Sequence, residues 1–270
     1  MELKVFKALW GMEGTLEQQV KRIAAAGYGG IEAGLPAPDQ RQAFKELLAE
    51  HKLDYISMIY TQGPDHLESF SQQLDAIAEF RPLKITSHSA RDSMDYADQT
   101  AFFAKALELE KQYGIPVGHE THRMRAMFTP WTTARLLREF PDLKIAADFS
   151  HWCCVCESLL GDQAENLALA FERTIHIHGR VGYAEGPQVP HPAAPEYAKE
   201  LAAHESWWTE IIRLQEAKGA PLVTFTPEFG PPGYMHTLPF TNQPVSDLWD
   251  VCLWMAKRFE TAVWEPALAK

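Results

Sequence analysis

The chain has 270 residues, of which 46% are hydrophobic, and a formal net charge of −11. This length and apolar content suffice for one large buried core, while the acidic balance and the lack of any Lys and Arg run longer than a pair disfavour a nucleic-acid partner. No signal peptide and no run of about 18 apolar residues is found, which predicts a cytoplasmic protein without a membrane partner.

Short β-like runs and amphipathic helices alternate from the N-terminus onward. Residues 3–10 predict the first strand, and Thr15 is expected to cap a helix that ends at Gly27. The other elements predicted in this half are strands at 30–34, 53–60 and 83–89, helices at about 38–51 and 66–80, and a long helix that ends at Gly114.

Four further strand-like runs, in the second half of the chain, each end in a side chain that can bind a metal ion. The candidates are Glu120, Asp148 with His151, His176 with His178, and Glu228. Side chains so far apart in sequence cannot meet on one helix, but they meet when successive parallel strands end on the same rim of a barrel. A mixed oxygen and nitrogen set of this kind suits one divalent Mn, Mg, Co or Zn ion.

Eight strand and helix units in a chain of this length predict an α/β fold, a single-domain (β/α)8 TIM barrel over residues 1–270. No GxGxxG or Walker motif supports an open doubly wound sheet instead. One connection is unusual, because a Gly- and Pro-rich insertion at about 181–198 follows the seventh strand. We expect it to cover the rim as a lid, and the alternative is a surface excursion without function.

The motifs GHETH, ADFSHW, HIHGR and TPEFG follow in this order at the ends of strands five to eight. They resemble the xylose-isomerase-like TIM barrel superfamily of sugar phosphate isomerases and epimerases, which includes ketose 3-epimerases and inosose-processing enzymes. The resemblance covers nearly the whole chain. It implies a single divalent metal ion bound by Glu120, Asp148, His178 and Glu228. It also implies that Glu120 and Glu228 exchange protons with the substrate, and that His151 holds a substrate oxygen or orients Asp148.

Two features depart from the ketose 3-epimerase pattern. Arg180 stands two residues after His178, where those enzymes carry a glutamate at the third position and an arginine later. In addition, His122, Arg123 and Arg125 crowd the end of strand five. The sugar carbon that reacts, and the way its oxygens are held, are therefore left open.

Six residues are candidates for contacts with the substrate. They are Trp10, Glu32, His88, His122, Arg123 and Arg180. Glu32 and His88 have an equally plain interpretation as hydrogen-bonding residues at the rim. Arg123 and Arg180 either anchor an anionic group of the substrate or pair with the acidic ligands.

Two further interpretations concern His176 and the tryptophans. His176 and His178 are two residues apart on one strand, so both should point into the barrel. We expect His176 to be a hydrogen-bonded interior residue rather than a ligand. Aromatic faces suit the C–H faces of sugars, so Trp10 and one of Trp207 and Trp208 are expected to stack on the substrate.

The leading function is a divalent-metal-dependent isomerase or epimerase of carbohydrate metabolism, with manganese among the candidate metals. It would act on a ketose or keto-sugar by proton transfer through an enediolate. A lyase or hydratase on 3-keto-glycosides is the alternative, because loss of a proton beside a ketone can expel a β-leaving group. A hydrolytic AP endonuclease is disfavoured, since it needs more histidines from the early strands and a basic groove. The expected partner is a small sugar or keto-sugar, and a homo-oligomer is left open.

Overall fold

The runs rich in Val, Ile, Phe and Thr form eight parallel strands that close into a barrel in sequence order. The computed structural model describes residues 1–269 of the chain. The strands are β1 (Glu2–Ala8), β2 (Gly30–Ala33), β3 (Asp54–Tyr60), β4 (Lys84–His88), β5 (Val117–Glu120), β6 (Ile145–Ala147), β7 (Thr174–His178) and β8 (Leu222–Thr226). Pairing of β1 with β8 completes the ring, which confirms the predicted TIM barrel.

Helices surround the barrel, and side-chain caps start several of them. Thr15 accepts a hydrogen bond from the backbone N–H of Gln18, and Asp65 and Asp247 cap two later helices in the same way. The helices are α1 (Leu16–Ala25), α2 (Arg41–His51), α3 (His66–Ala78), α4 (Tyr96–Tyr113), α5 (Pro130–Glu139), α6 (Ser150–Val155), α7 (Ala164–Arg173), α8 (Ala198–Ala217), α9 (Leu248–Phe259) and α10 (Glu265–Leu268). Within residues 1–269, no helix has the length and apolar character needed to cross a bilayer.

Contacts between strands that are not neighbours show which side chains point into the barrel. Glu32 of β2 reaches His176 and His178 of β7, and Lys84 of β4 reaches Thr224 of β8. Because side chains alternate along a strand, these contacts show which residues of β2, β4, β7 and β8 point into the barrel. The interior of this barrel therefore contains several polar and charged side chains, and Phe6, whose ring meets that of His176, is among its apolar ones.

The outward faces of the strands pack against the helices and form the main apolar core. Phe225 of β8 stacks on Phe259 with ring centroids 3.7 Å apart, and Trp208 packs on both rings. Trp207 is 9% exposed and Trp208 is 1% exposed, and both belong to this core. The expectation that one of the two indoles stacks on the substrate is therefore wrong.

Element ends differ slightly from the predicted ones. β1 ends at Ala8, so Trp10 lies in the turn after the strand, and residues 38–40 form a short 3-10 turn before α2. The Gly- and Pro-rich insertion packs closely on the loop after β8. Gln188 both donates to and accepts from the backbone of Gly230, and Val189 is fully buried. As a lid, the insertion would have to move together with the loop that carries Glu228.

Candidate metal centre and cavity

Four side chains from β5 to β8 converge at the carboxyl end of the barrel. Glu120 and His178 are the last residues of β5 and β7, Asp148 follows β6 directly, and Glu228 lies two residues after β8. One ligand atom from each of the four lies within 4.8 Å of the others. All four residues are 3% exposed or less. Buried carboxylates at such spacing repel one another by several kcal/mol unless cations compensate their charge.

Two cationic groups of the chain itself lie among the carboxylates. Arg180 donates through Nη2 to Asp148 and, at 2.9 Å, to Glu228. His178 Nδ1 lies 3.0 Å from Glu228 Oε2 and 3.4 Å from Glu120 Oε1. Burial alone would lower the pKa of His178, but the surrounding carboxylates outweigh it and hold that pKa well above its usual value. In this arrangement His178 is protonated at neutral pH.

The residues fit a divalent metal ion. Glu120 Oε2 and His88 Nε2 are both buried and lie 2.5 Å apart. The contact lacks hydrogen-bond geometry, so neither atom has a hydrogen-bond partner. A set of three carboxylates and one imidazole is the mixed oxygen and nitrogen environment that such ions take. Glu120, Asp148, His178 and Glu228 would hold the ion. Asp148 is further oriented by Ser150, whose backbone N–H donates to its Oδ1 at 3.1 Å.

Glu32 and His176 lie one layer deeper in the barrel than the four candidate ligands. The carboxylate of Glu32 lies 3.0 Å from His178 Nε2 and 3.1 Å from His176 Nε2, and it accepts a hydrogen bond from Thr86 at 2.6 Å. Glu32 also forms part of the cavity wall, but its oxygens are occupied by these protein donors. His176 is hydrogen-bonded on both ring nitrogens, as expected for an interior residue.

Three histidines form a contiguous layer above the candidate ligands. The rings of His122 and His151 are 3.8 Å apart between centroids, and those of His88 and His122 are 4.6 Å apart. Burial lowers the pKa of His122 to about 3 and that of His151 well below its usual value. Both imidazoles are therefore neutral at pH 7, and each has one donor and one acceptor nitrogen. In His122 these nitrogens meet the carbonyl of Arg123 and the hydroxyl of Tyr234.

A cavity of about 620 Å³ opens onto this layer. Its walls include six predicted residues, namely Trp10, Glu32, His88, His122, Arg180 and Glu228. Arg125, Met58, Tyr60 and Tyr234 complete much of the lining. A groove of similar size, about 640 Å³, lies beside Lys7 and Trp249, away from the carboxylate cluster. The volume of the first cavity suits a small molecule of sugar size.

Tyr234 is the main residue that the sequence reasoning missed. Its hydroxyl lies 3.3 Å from His122 Nε2, its ring makes an edge contact with Trp10, and Arg180 lies 4.8 Å from its centroid. The guanidinium of Arg123, expected at the substrate, lies 5.1 Å from the same ring and outside the cavity wall. Tyr234 follows the Gly- and Pro-rich run after β8, so the loop composition that marked residues 181–198 could also have pointed to it.

Comparison with known proteins agrees with this fold. The family model described as xylose isomerase-like TIM barrel matches residues 20–185. No curated protein matches the sequence significantly. Many solved structures share the fold at low identity.

Three of those structures show how different the named proteins with this fold are. A probable 3-DHS dehydratase involved in petrobactin synthesis in Bacillus anthracis is 18% identical, with a TM-score of 0.62 over 96% of this chain and 99% of that one. A xylose isomerase-like TIM barrel protein from Mycobacterium smegmatis, in complex with magnesium, is 14% identical, with a TM-score of 0.62 and 98% of both chains covered. A family 2 AP endonuclease from Brucella melitensis is 13% identical, with a TM-score of 0.59 over 94% of this chain and 98% of that one. At such identities the likeness establishes the fold alone.

Replacing one ligand should empty the metal site. Asp148→Asn removes a charge and leaves an amide, whose N–H group opposes a cation, so the purified variant should retain little of the metal of the wild type. Elemental analysis of both proteins measures this. The control is Asp142→Asn, because Asp142 is exposed on the loop before β6. Equal metal content in Asp148→Asn and wild type would contradict the assigned site.

Metal binding should release roughly one proton at neutral pH. The raised pKa of His178 means that the metal-free imidazole is protonated, whereas a ligand imidazole must present a lone pair. Apparent affinity should therefore rise with pH until the raised pKa is passed. Calorimetric titration with Mn²⁺ in buffers of different ionisation enthalpy counts the protons. A His51→Gln control should give the same count, and a binding enthalpy independent of the buffer would contradict the assignment of His178.

Proposed function

The chain belongs to the xylose isomerase-like TIM barrel family, and we propose that it is a divalent-metal-dependent isomerase or epimerase of a ketose or keto-sugar. The observation that carries the proposal is the convergence of Glu120 and Glu228 with Asp148 and His178 beside a cavity of about 620 Å³. Two carboxylates at one metal site can each serve as a base or, once protonated, as an acid toward a bound substrate.

A divalent ion bound there would act as a Lewis acid that stabilises negative charge developing on a substrate carbonyl oxygen. The chain's own residues then have to remove and return the proton. Glu228 is part of the cavity wall, so its carboxylate can reach the substrate directly. Burial would raise the pKa of Glu120, but His88 and His178 outweigh it and hold that pKa well below its usual value. Glu120 is thus an ionised base at neutral pH.

The layer of neutral histidines and Arg180 supplies contacts for the substrate oxygens. Arg180 lines the cavity and its Nη1 is buried without a hydrogen-bond partner, as is Nδ1 of His151. His122 also lines the cavity and could exchange the contact of its Nε2 with the Tyr234 hydroxyl for one with the substrate. Trp10 and Tyr234 meet edge to face at 5.0 Å and form an apolar wall suited to the C–H face of a sugar. Together these groups would hold a polyol with its reacting carbon near Glu228.

Elimination is the second candidate outcome of the same site. It begins with the same loss of a proton beside a carbonyl, and the unpartnered Nδ1 of His151 could donate to a departing oxygen. The presence of a probable 3-DHS dehydratase among the similar structures supports keeping a lyase or hydratase, for example on 3-keto-glycosides, as the alternative. We do not propose an endonuclease, because the net charge of −11 opposes binding to nucleic-acid phosphates.

The proton step is tested by incubating the enzyme with a panel of ketoses and keto-glycosides in D₂O. Deuterium should appear at the carbon next to the carbonyl in recovered substrate or product. Glu228→Gln keeps an oxygen ligand but removes the base, so metal should be largely retained while exchange falls by about 10² or more. Glu216→Gln, an exposed position on α8, should exchange at the wild-type rate.

The same experiment separates the two outcomes. Release of an enone or an aglycone identifies elimination, whereas a new stereoisomer or positional isomer identifies the isomerase. If Glu228→Gln keeps its metal and exchanges deuterium as fast as the wild type, Glu228 is only a ligand and the two-base mechanism is wrong.

A further inference from the structure

We propose that Glu32 is a positioning residue that fixes the imidazole of His178, and that a directed chain of hydrogen bonds through the barrel interior holds Glu32 in turn. The chain runs from Lys84 through Thr224 and His176 to Glu32. The inference rests on the metal site of the proposed function, but it does not depend on which reaction the site catalyses.

Three donors converge on the carboxylate of Glu32, which is fully buried. Thr86 Oγ1 donates to Oε1 at 2.6 Å, His178 Nε2 lies 3.0 Å from the same oxygen, and His176 Nε2 lies 3.1 Å from Oε2. An ionised carboxylate only accepts, so both Nε2 atoms must carry protons.

The proton on His178 Nε2 decides what the other ring nitrogen can do. Nδ1 faces Glu120 and Glu228 at the candidate metal centre. With Nε2–H donated to Glu32, Nδ1 is the only nitrogen of this ring that can present a lone pair to a cation. A carboxylate behind a ligand histidine also raises its basicity and fixes the ring orientation.

Lys84, at the far end of this series of hydrogen bonds, helps to set their donor and acceptor directions. The ammonium of Lys84 has donors only, and it donates to Thr224 Oγ1 at 3.0 Å and to the carbonyl of Ile175. The proton of the Thr224 hydroxyl has two possible acceptors, His176 Nδ1 at 2.7 Å and the carbonyl of Ile175 at 3.5 Å, and the shorter contact favours His176. His176 Nδ1 becomes an acceptor, and the proton of this neutral ring must sit on Nε2, which faces Glu32.

A competing interpretation makes Glu32, His176 and His178 a separate cation site, because their ligand atoms also lie within 4.8 Å of one another. That site would need unprotonated Nε2 atoms on both histidines. A neutral His176 would then carry its proton on Nδ1 and donate it to Thr224, which would leave the Thr224 hydroxyl with only the Ile175 carbonyl, at 3.5 Å, as an acceptor. The hydrogen-bond directions thus favour Glu32 as an anchor for His178 over Glu32 as a ligand.

The protonation pattern is read directly by long-range ¹H–¹⁵N NMR on protein labelled with ¹⁵N-histidine. In the Zn²⁺-loaded wild type, we expect His176 with its proton on Nε2 and a free Nδ1, and His178 with a protected Nε2–H and zinc on Nδ1. His176 should show the same pattern without metal. A His176 proton on Nδ1, or zinc on Nε2 of either ring, would overturn the proposal.

Affinity measurements on variants test the consequence for metal. Glu32→Gln keeps the shape but offers one acceptor where two imidazoles donate, so zinc affinity measured against a chelator should fall by about 10- to 100-fold. The Nε2–H resonance of His178 should also lose its downfield shift and its protection. Wild-type affinity together with an unchanged resonance in Glu32→Gln would refute the role of Glu32.

Milder variants keep the test decisive if Glu32→Gln folds poorly. Thr224→Val removes the donor to His176 Nδ1, so the His176 proton should redistribute between its two nitrogens while zinc affinity falls less than in Glu32→Gln. Thr133→Val is the matched control, because Thr133 is a buried threonine on α5 that donates only to its own helix turn. If the proton of His176 keeps its position on the ring in Thr224→Val, Thr224 does not determine that position and this part of the proposal is wrong.

Failure of the proposed function is distinguishable from failure of this inference. If wild-type protein binds zinc with the expected nitrogen pattern but no panel substrate exchanges deuterium, the isomerase proposal fails and the role of Glu32 stands. If exchange occurs but His176 carries its proton on Nδ1, the isomerase proposal stands and the proposed role of Glu32 fails.

Discussion

Electrostatic compensation around three buried carboxylates is the constraint on which the site depends. Glu120, Asp148 and Glu228 are brought together by the ends of three strands whose own packing is apolar and independent of them. An uncompensated buried charge costs several kcal/mol, so the barrel has to supply cations or bind one. Arg180 and His178 are placed where they meet this requirement, and both come from or directly follow β7.

The polar interior of the barrel follows from the same constraint. A ligand imidazole must be held by something behind it, and in a TIM barrel the space behind the rim is the barrel interior. Bulky aliphatic residues commonly fill that space. Here Glu32, Thr86, His176 and Thr224 share it with Phe6, and the hydrogen bonds of these four polar residues are nearly all satisfied within the barrel. The stability of this interior therefore depends on hydrogen-bond direction as well as on packing.

The sequence was sufficient to predict the fold and the convergence of the four candidate ligands. Alternating strands and helices dictate a parallel barrel, and parallel strands place their carboxyl ends on one rim, so residues that end successive strands had to converge. Pairwise contacts across the barrel could not be predicted in this way. Glu32 lies near the end of β2 and was a candidate either for a substrate contact or for a hydrogen bond at the rim, and only the barrel's shear decides that it lies beneath His178.

Residues on loops and in the core were the least predictable. Tyr234 reaches His122 because the loop after β8 folds back over the rim, and no periodicity encodes such a path. Trp207 and Trp208 lie on α8, where two adjacent positions point in different directions, yet both are buried because α8 packs between α7 and α10 as well as on the barrel. Aromatic residue type alone cannot distinguish a stacking platform from a core side chain.

Arg180 compensates the buried carboxylates in the metal-free site, and a bound divalent ion would change how much of that compensation is needed. At the candidate metal centre, three carboxylates face Arg180 and a protonated His178, so one negative charge is left uncompensated there, and the carboxylate of Glu32 on the other side of His178 adds another. A divalent ion bound in place of the proton would raise the positive charge among the three carboxylates to three. Arg180 would then share Asp148 and Glu228 with the ion, and its unpartnered Nη1 already belongs to a side chain in the cavity wall. The residue that compensates the carboxylates in the metal-free arrangement would thus become available to a substrate oxygen.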